Sequence, residues 1–420
     1  MARSAPSDPN VVPAETLASR TAPSTKRLVP VLMSLAILGP LSIDMYLPAL
    51  PALQLELGAS TPLAQLTLSA CLLGLAAGQL IAGPLSDSIG RRPPVMVGMA
   101  GFTIMALACS LAPSVEFLIL FRFLQGLFGS AGVVVSRAVI RDLYSGIRAS
   151  QVFSLLVLAN GTGPILAPTL GGMILLMTDW RGVFGVMVIL GVVLLGVAWR
   201  FLPETMRLET RSQAGVGATF RAFGILLRDR LFVGYALVMA MGMCTMFAHV
   251  AGSSFIMQNI YGVSEQAYAV LFGVIAVGFI GMSQVNARLI TRVPMRSMLV
   301  VGVGLNLVGA ALVFLEVTVA HAGLWALVAG LFLVAMSNGF IGPNVTSLSL
   351  QEYPHMAGSA SAMLGLLTFI GGAAIAPLVG IAGDHSAVPL AVTILGCSVV
   401  GALGLWFVTR RAGRGTLAAS

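Results

Sequence analysis

Stretches of roughly 20 apolar residues recur along nearly the whole chain, each long enough as a helix to cross a hydrocarbon core of about 30 Å. In lipid every backbone amide must be bonded internally, so a spanning chain has only helices or a closed barrel available. A barrel would show segments of about 10 residues alternating in polarity, and the sequence has none. Twelve helical spans are predicted, at 28–50, 65–86, 94–112, 116–138, 151–176, 182–202, 230–257, 267–290, 297–317, 323–350, 359–381 and 387–409. Composition agrees: 57% of the 420 residues are hydrophobic and 9% charged, where a soluble domain carries about 25% charged residues. The expected fold is an all-α membrane protein of twelve transmembrane helices in two six-helix halves, 28–202 and 230–409, joined by a cytoplasmic linker at 203–229.

The net charge of +8 would suit nucleic acid, but its distribution excludes that partner. Basic residues collect in alternate connections: Lys26 and Arg27, Arg91 and Arg92, Arg141 and Arg148, Arg288 to Arg296, and Arg410 to Arg414, while the intervening connections hold only Arg181. The positive-inside rule then places both termini in the cytoplasm. Residues 1–27, rich in Ser, Pro and Thr and lacking an apolar core, read as a disordered cytoplasmic tail and not as a signal peptide, and 410–420 as a second tail. Cys71, Cys109, Cys244 and Cys397 all fall inside spans with no close-spaced pair, so they read as small core residues with no disulfide or metal implied.

One short element repeats. Span five holds Ala167-Pro168-x-x-Gly171 and span eleven holds Ala376-Pro377-x-x-Gly380, corresponding positions in the two halves. Parallel six-helix repeats are the layout of the major facilitator superfamily, which this arrangement resembles, with substrate bound between the halves near mid-membrane. GPLSDSIGRRP, residues 83–93, resembles that superfamily's loop signature through Gly83, Asp87, Gly90, Arg91 and Arg92. Glycines permit a tight turn, and a carboxylate beside two guanidiniums can form a bidentate pair that locks one conformation. A merely topogenic turn would explain the arginines but not the aspartate or the glycines. The equivalent stretch in the second half, NARLITRVPMRS (286–297), keeps arginines without the aspartate, so a latch is expected in the first half only.

Two intramembrane charges stand out. Asp44, in GPLSIDMYLPALP (39–51), lies six positions before Leu50, and Arg122 lies six positions after Glu116, which puts both at roughly 9 Å below the outer surface. Matching depth lets them pair. Such a pair is either packing glue contributing little net stability, or a titrating carboxylate modulated by its arginine; intramembrane ionisable residues favour the second reading. Arg122, Gln125 and Gly126 also resemble the superfamily's R-x-x-Q-G element. In span five, NGTGPILAPTLGG (160–172) resembles the exporter-branch motif through Gly163, Pro168, Gly171 and Gly172, with Ala167 in place of a second glycine. Small residues spaced four apart bring helices close, whether for function or for ordinary packing.

PLSIDMYLPALP, GPLSDSIGRRP, SRAVIRDLY (136–144) and EYPHMAGSASA (352–362) together resemble the bicyclomycin-resistance, or Bcr/CflA, group of drug:proton antiporters. The resemblance implies a multi-pass protein of the bacterial inner membrane that exports small amphipathic drugs, uses no cofactor beyond the coupling proton, and works as a monomer. It implies Asp44 as the proton-coupling carboxylate with Arg122 its partner. It also makes Arg141 and Asp142 candidates for the latch, although Asp142 reads equally as a helix-end residue. Tyr46, Gln125, Asn160, Tyr235, His249 and Asn338 are candidates to line a substrate cavity. A lone histidine such as His249 is more often a hydrogen-bonded structural residue. The competing readings are a nutrient uptake symporter, disfavoured by the scarcity of intramembrane charge, and a membrane enzyme, disfavoured because the four histidines are scattered singly.

Overall fold

The computed structural model describes residues 25–144, 146–206, 216–353, 356–383 and 386–417; several side chains between 146 and 161, that of Asn160 among them, lie outside the description. The first span is a helix, α1 (Thr25–Asp44), a tight turn at Leu47–Ala49 and a short helix, α2 (Leu50–Glu56). Then follow α3 (Thr61–Ile89), α4 (Arg92–Ser110), α5 (Val115–Leu143), α6 (Gly146–Leu175) and α7 (Trp180–Phe201), which complete the first half. The second half is α9 (Arg230–Phe255), α10 (Glu265–Leu289), α11 (Met295–Leu315), α12 (Leu324–Glu352), α13 (Ala357–Val379) and α14 (Val388–Leu417). Among the described residues eleven spans are long and apolar enough to cross a membrane; α6, whose described apolar stretch is Thr162–Leu175, supplies the twelfth. The fold is therefore the expected one, an all-α membrane protein of two six-helix halves.

The linker is not featureless. It contains α8 (Val216–Leu226), whose Phe223 and Leu226, three apart and so on one helix face, are buried against Phe232 and Tyr235 of α9. Helix starts follow familiar chemistry: Asp179 accepts hydrogen bonds from the Arg181 and Gly182 amides at α7, Asp229 from Leu231 at α9, and Ser264 from Ala267 at α10. These side chains satisfy donors that a helix N-terminus otherwise leaves free.

Between the halves, α3 packs along α13 and α6 along α10. These two contacts are equivalent under exchange of the halves, and the repeated Ala-Pro-x-x-Gly elements lie on the helices that make them. A Cβ added to Gly172 would meet Ala269 of α10 at 3.2 Å, and one added to Gly380 would reach the Gln65 side chain and, at 3.2 Å, the backbone of Pro62 on α3. Small residues let these helix pairs approach closely. Among the described residues three hydrogen bonds also join the halves, from Gln65 Nε2 to Ala251 O (3.2 Å), from Ser254 Oγ to Leu47 O (2.8 Å) and from Gln258 Nε2 to Pro48 O (3.0 Å). All three lie at the end of the bundle opposite the basic end, where Arg91, Arg92, Arg141 and Arg288 sit.

Candidate functional site

The break in the first span follows from its prolines. Proline lacks an amide proton and its ring clashes with the carbonyl four residues back. For Pro48 that carbonyl is Asp44's, and α1 ends at Asp44. The Leu47 and Pro48 carbonyls within the break accept from Ser254 and Gln258, so the break doubles as a junction between the halves. Two glycines of span five embrace it. A Cβ at Gly171 would overlap the Met45 carbonyl oxygen, and one at Gly163 would lie 2.9 Å from Pro40. The span-five motif therefore wedges α6 against both sides of the break, while Gly172 faces α10.

Asp44 and Arg122 do not form an ion pair in this conformation: among the described residues the ion pairs are Arg91–Asp87, Arg91–Asp142 and Arg181–Glu56. Asp44 is 7% exposed and lies within electrostatic reach of the Tyr268 hydroxyl on α10. Arg122 is fully buried in the first half. Its guanidinium carbon lies 4.4 Å from the Tyr46 ring centroid and 5.7 Å from that of Phe184, its Nη1 donates to Gln125 Oε1 at 2.6 Å, and its Nε and Nη2 have no partner. Tyr46 is held in turn. Thr67 Oγ1 donates to Ala64 O at 2.6 Å, so the Tyr46 hydroxyl donates to Thr67 at 2.8 Å. Only Met45 separates the carboxylate from the ring that covers the guanidinium.

At the basic end, Arg91 is the centre of the latch cluster, with a side chain 4% exposed. Its Nε and Nη2 donate to Asp142 at 2.8 and 3.2 Å, and its Nη1 donates to Asp87 at 2.5 Å and to Ser86 at 2.9 Å. Burial works against its charge, but the bonds it donates to Asp142 and then Asp87 outweigh it and hold the guanidinium's pKa above its ordinary value. Glu204, unmarked in the sequence reading, accepts from the Arg91 and Arg92 amides at 2.8 and 3.1 Å, and Thr205 donates to Asp142 at 2.9 Å. Gly90 adopts φ +106°, and a Cβ there would lie 2.6 Å from Glu204 Oε2, so both backbone and space require glycine. Gly83 is different: its Cβ would make only an ordinary contact with Val134.

Every partner of Arg91 and Arg92 named above belongs to the first half or to the stretch that leaves α7, so in this conformation the cluster clamps the first half to itself and not to the second. The halves are tied at the other end instead. Arg141 lies exposed at the end of α5, outside the cluster, because Asp142 is the residue turned toward Arg91. The signal that would have found Glu204 is its position, a carboxylate three residues past the end of α7 on the same side as a basic turn.

The cavity candidates separate. Gln125 is engaged by Arg122 and donates to Met187 Sδ. Tyr235 sits in the apolar cluster at the basic end, beside Arg296 and Glu352. Asn338 donates to Val334 O while its Oδ1 is buried and unpartnered. His249 is 1% exposed with neither ring nitrogen bonded. Asn160 falls outside the described side chains.

A profile of the Major Facilitator Superfamily matches residues 32–377. The chain belongs to the major facilitator superfamily. An uncharacterised MFS-type transporter of Bacillus subtilis, YdgK, is 40% identical over 378 residues, covering 90% of this chain and 94% of that protein. The bicyclomycin resistance protein homolog of Haemophilus influenzae is 30% identical over 90% of this chain and 94% of its own length. A chloramphenicol resistance protein of Pseudomonas aeruginosa is 29% identical over 78% and 77% of the two chains. Among solved structures, a peptide transporter, POT, in complex with sulfate superposes with a TM-score of 0.77 over 96% of this chain and 98% of its own, at 14% identity, which concerns the fold alone. This superfamily member is thus a multi-pass membrane transporter with drug-resistance proteins among its relatives.

Proposed function

We propose that this chain exports small amphipathic drugs in exchange for protons, by alternating access across a bacterial cytoplasmic membrane, with both termini cytoplasmic. Asp44 is the proton-carrying group and Arg122 its partner during part of the cycle. The carrier works as a monomer, with the proton as its only coupling agent and no chemistry performed on the drug.

The observation that carries this reading is the unmade pair. A carboxylate and a guanidinium are both buried, the first without an ion-pair partner and the second with two unpartnered nitrogens, and only one residue separates Asp44 from the ring stacked on Arg122. Burying an ionised group without a counter-charge is costly enough that it tends to neutralise. In the cycle, a proton on Asp44 offsets that cost while the pair is unmade, and a rearrangement of the broken span that brings Asp44 to Arg122 favours the proton's release. Because the break also carries the bonds to Ser254 and Gln258, protonation is coupled to the junction between the halves.

The drug class rests on the relatives' names, and chloramphenicol and bicyclomycin are the first compounds to test. In inverted membrane vesicles with an acidic lumen, adding an exported drug alkalinises the lumen under antiport, and the drug is recovered unchanged. Asp44→Asn, close to isosteric, abolishes both this response and resistance of a sensitive host while the protein is still inserted. Wild-type export by that variant along a pH gradient would overturn the reading, and acidification of the lumen alongside an entering solute would favour an uptake symporter.

A further inference from the structure

One face of α9 carries Thr245, His249 and Ser253 at intervals of four residues, which stacks them about 6 Å apart along the helix. At one end the Ser253 hydroxyl is 3.2 Å from that of Tyr268, which lies within electrostatic reach of Asp44. At the other end Asn306 Nδ2 donates to Thr245 Oγ1 at 3.1 Å and to Ser337 Oγ at 2.8 Å, and Ser398 Oγ donates to Asn306 Oδ1 at 2.6 Å. Two hydrogen-bonded segments thus meet at His249, the member of the face whose polar atoms are both unpartnered.

The ring itself is fixed, stacked on Phe272 with centroids 5.2 Å apart and planes 15° apart. A neutral imidazole has one donor and one acceptor, and each left unmade in a buried site costs about 1–3 kcal/mol. A histidine retained only for packing would use at least one of them. Tyr268 of α10 lies against the same Phe272 ring, with centroids 5.9 Å apart, and Asp44 of α1 lies beyond it. Cys244 and Cys397 engage each other, and residues 324–351, 357–379 and 388–408 of α12, α13 and α14 carry no charged side chain.

We propose that His249 is a second proton-carrying group of the transporter, linked to Asp44 through the Tyr268 and Ser253 hydroxyls, so that the second half takes part in proton movement. The inference rests on the antiport reading above. The Asp44 carboxyl gives its proton through a bridging water to the Tyr268 oxygen, each hydroxyl passes on its own, and a ring nitrogen lone pair of His249 receives the last. Both hydroxyls end neutral, Asp44 ends as carboxylate and His249 as imidazolium. The one-turn gap between Ser253 and His249 is of the size that a bridging water closes.

The test uses the full chain with 15N-labelled histidine rings in lipid nanodiscs, without drug. The four histidines give four ring signals; His249 is assigned by its loss in His249→Gln or, should that variant fail to insert, by elimination using substitutions of His321, His355 and His385. The expected result is a His249 ring that gains a proton between pH 9 and pH 5, with a midpoint that falls in Asp44→Asn because the imidazolium loses a nearby carboxylate. A ring that stays neutral throughout, or one whose midpoint is the same in Asp44→Asn, would sink the proposal. The export assay of Asp44→Asn is read independently, so a failure of the relay and a failure of the antiport reading are distinguishable.

Discussion

At the basic end of the first half, the turn between α3 and α4 is bound to the end of α5 by a bidentate Arg91–Asp142 pair, with Asp87 and Glu204 completing the cluster. The matching place in the second half, where α10 meets α12, is held by one amide bond, from Asn344 Nδ2 to Asn286 Oδ1 at 2.6 Å. The helices around the two joints pack alike: Gly126 sits against the backbone of Cys71 in the first half and Gly339 against that of Phe279 in the second. The packing of the superfamily is therefore present twice, while the charge chemistry is present once. A joint made of exposed carboxylates and a buried guanidinium can be opened and remade by competing charges, whereas a neutral amide pair inside a membrane is worth about 0.6 kcal/mol and offers nothing to compete for. The difference assigns switching to the first half and leaves the second as the body against which it moves.

The largest expected effect comes from removing the charge at the first joint. Asp142→Asn leaves a 4%-exposed guanidinium short of its bidentate partner, and breaking such a pair costs about 3 kcal/mol. Chemical unfolding in mixed micelles should show this as a lower midpoint, with Asp87→Asn weaker because Asp87 is 43% exposed and a solvated pair contributes about 0–1 kcal/mol. Equal losses for both carboxylates would break the picture of Arg91 as a buried hub with one principal partner.

The repeated Ala-Pro-x-x-Gly elements sharpen the comparison at an intermediate magnitude. Gly171→Ala drives a methyl into the Met45 carbonyl, a backbone atom that cannot swing aside, and overpacking of this kind costs about 1–3 kcal/mol. Gly380→Ala chiefly meets the Gln65 side chain, which can rotate, so its cost should be smaller. Drug export by the two variants at equal expression measures the same contrast, since Met45 adjoins Asp44. If Gly380→Ala proved the more damaging, the Asp44 break would not be the sensitive side of the two-fold arrangement.

What the sequence disclosed follows from which constraints are local. Span number and halves come from helix length against membrane thickness, and the Arg91 cluster from a motif whose Asp87, Gly90 and Arg91 sit within five residues. The depth match of Asp44 and Arg122 was legible too, because depth is a sum of helical rises. Their separation was not, because depth says nothing of rotation about the helix axis. Pro48 ends α1 at Asp44 and turns Tyr46 under the guanidinium. Glu204 and Tyr268 escaped for a related reason: each acts on a residue far away in the chain, and only the packing of α7 and α10 supplies that neighbour.

The smallest expected effect is at the second joint. Asn286→Ala removes the Asn344–Asn286 bond, but Asn344 Nδ2 also donates to Phe340 O at 2.8 Å within its own helix, so the amide is not stranded. The loss should be about 0.6 kcal/mol, near the resolution of an unfolding titration, and export should be unchanged. The informative variant is the pair Asn286→Asp with Asn344→Arg, which writes an ionic joint into the second half. If switching belongs to the first half, the new pair should leave both the fold and the export rate intact, since it clamps a joint that the cycle does not open. Slowed export by that double variant would mean that the second joint also loosens during transport, and the contrast between the halves would then be one of stability alone.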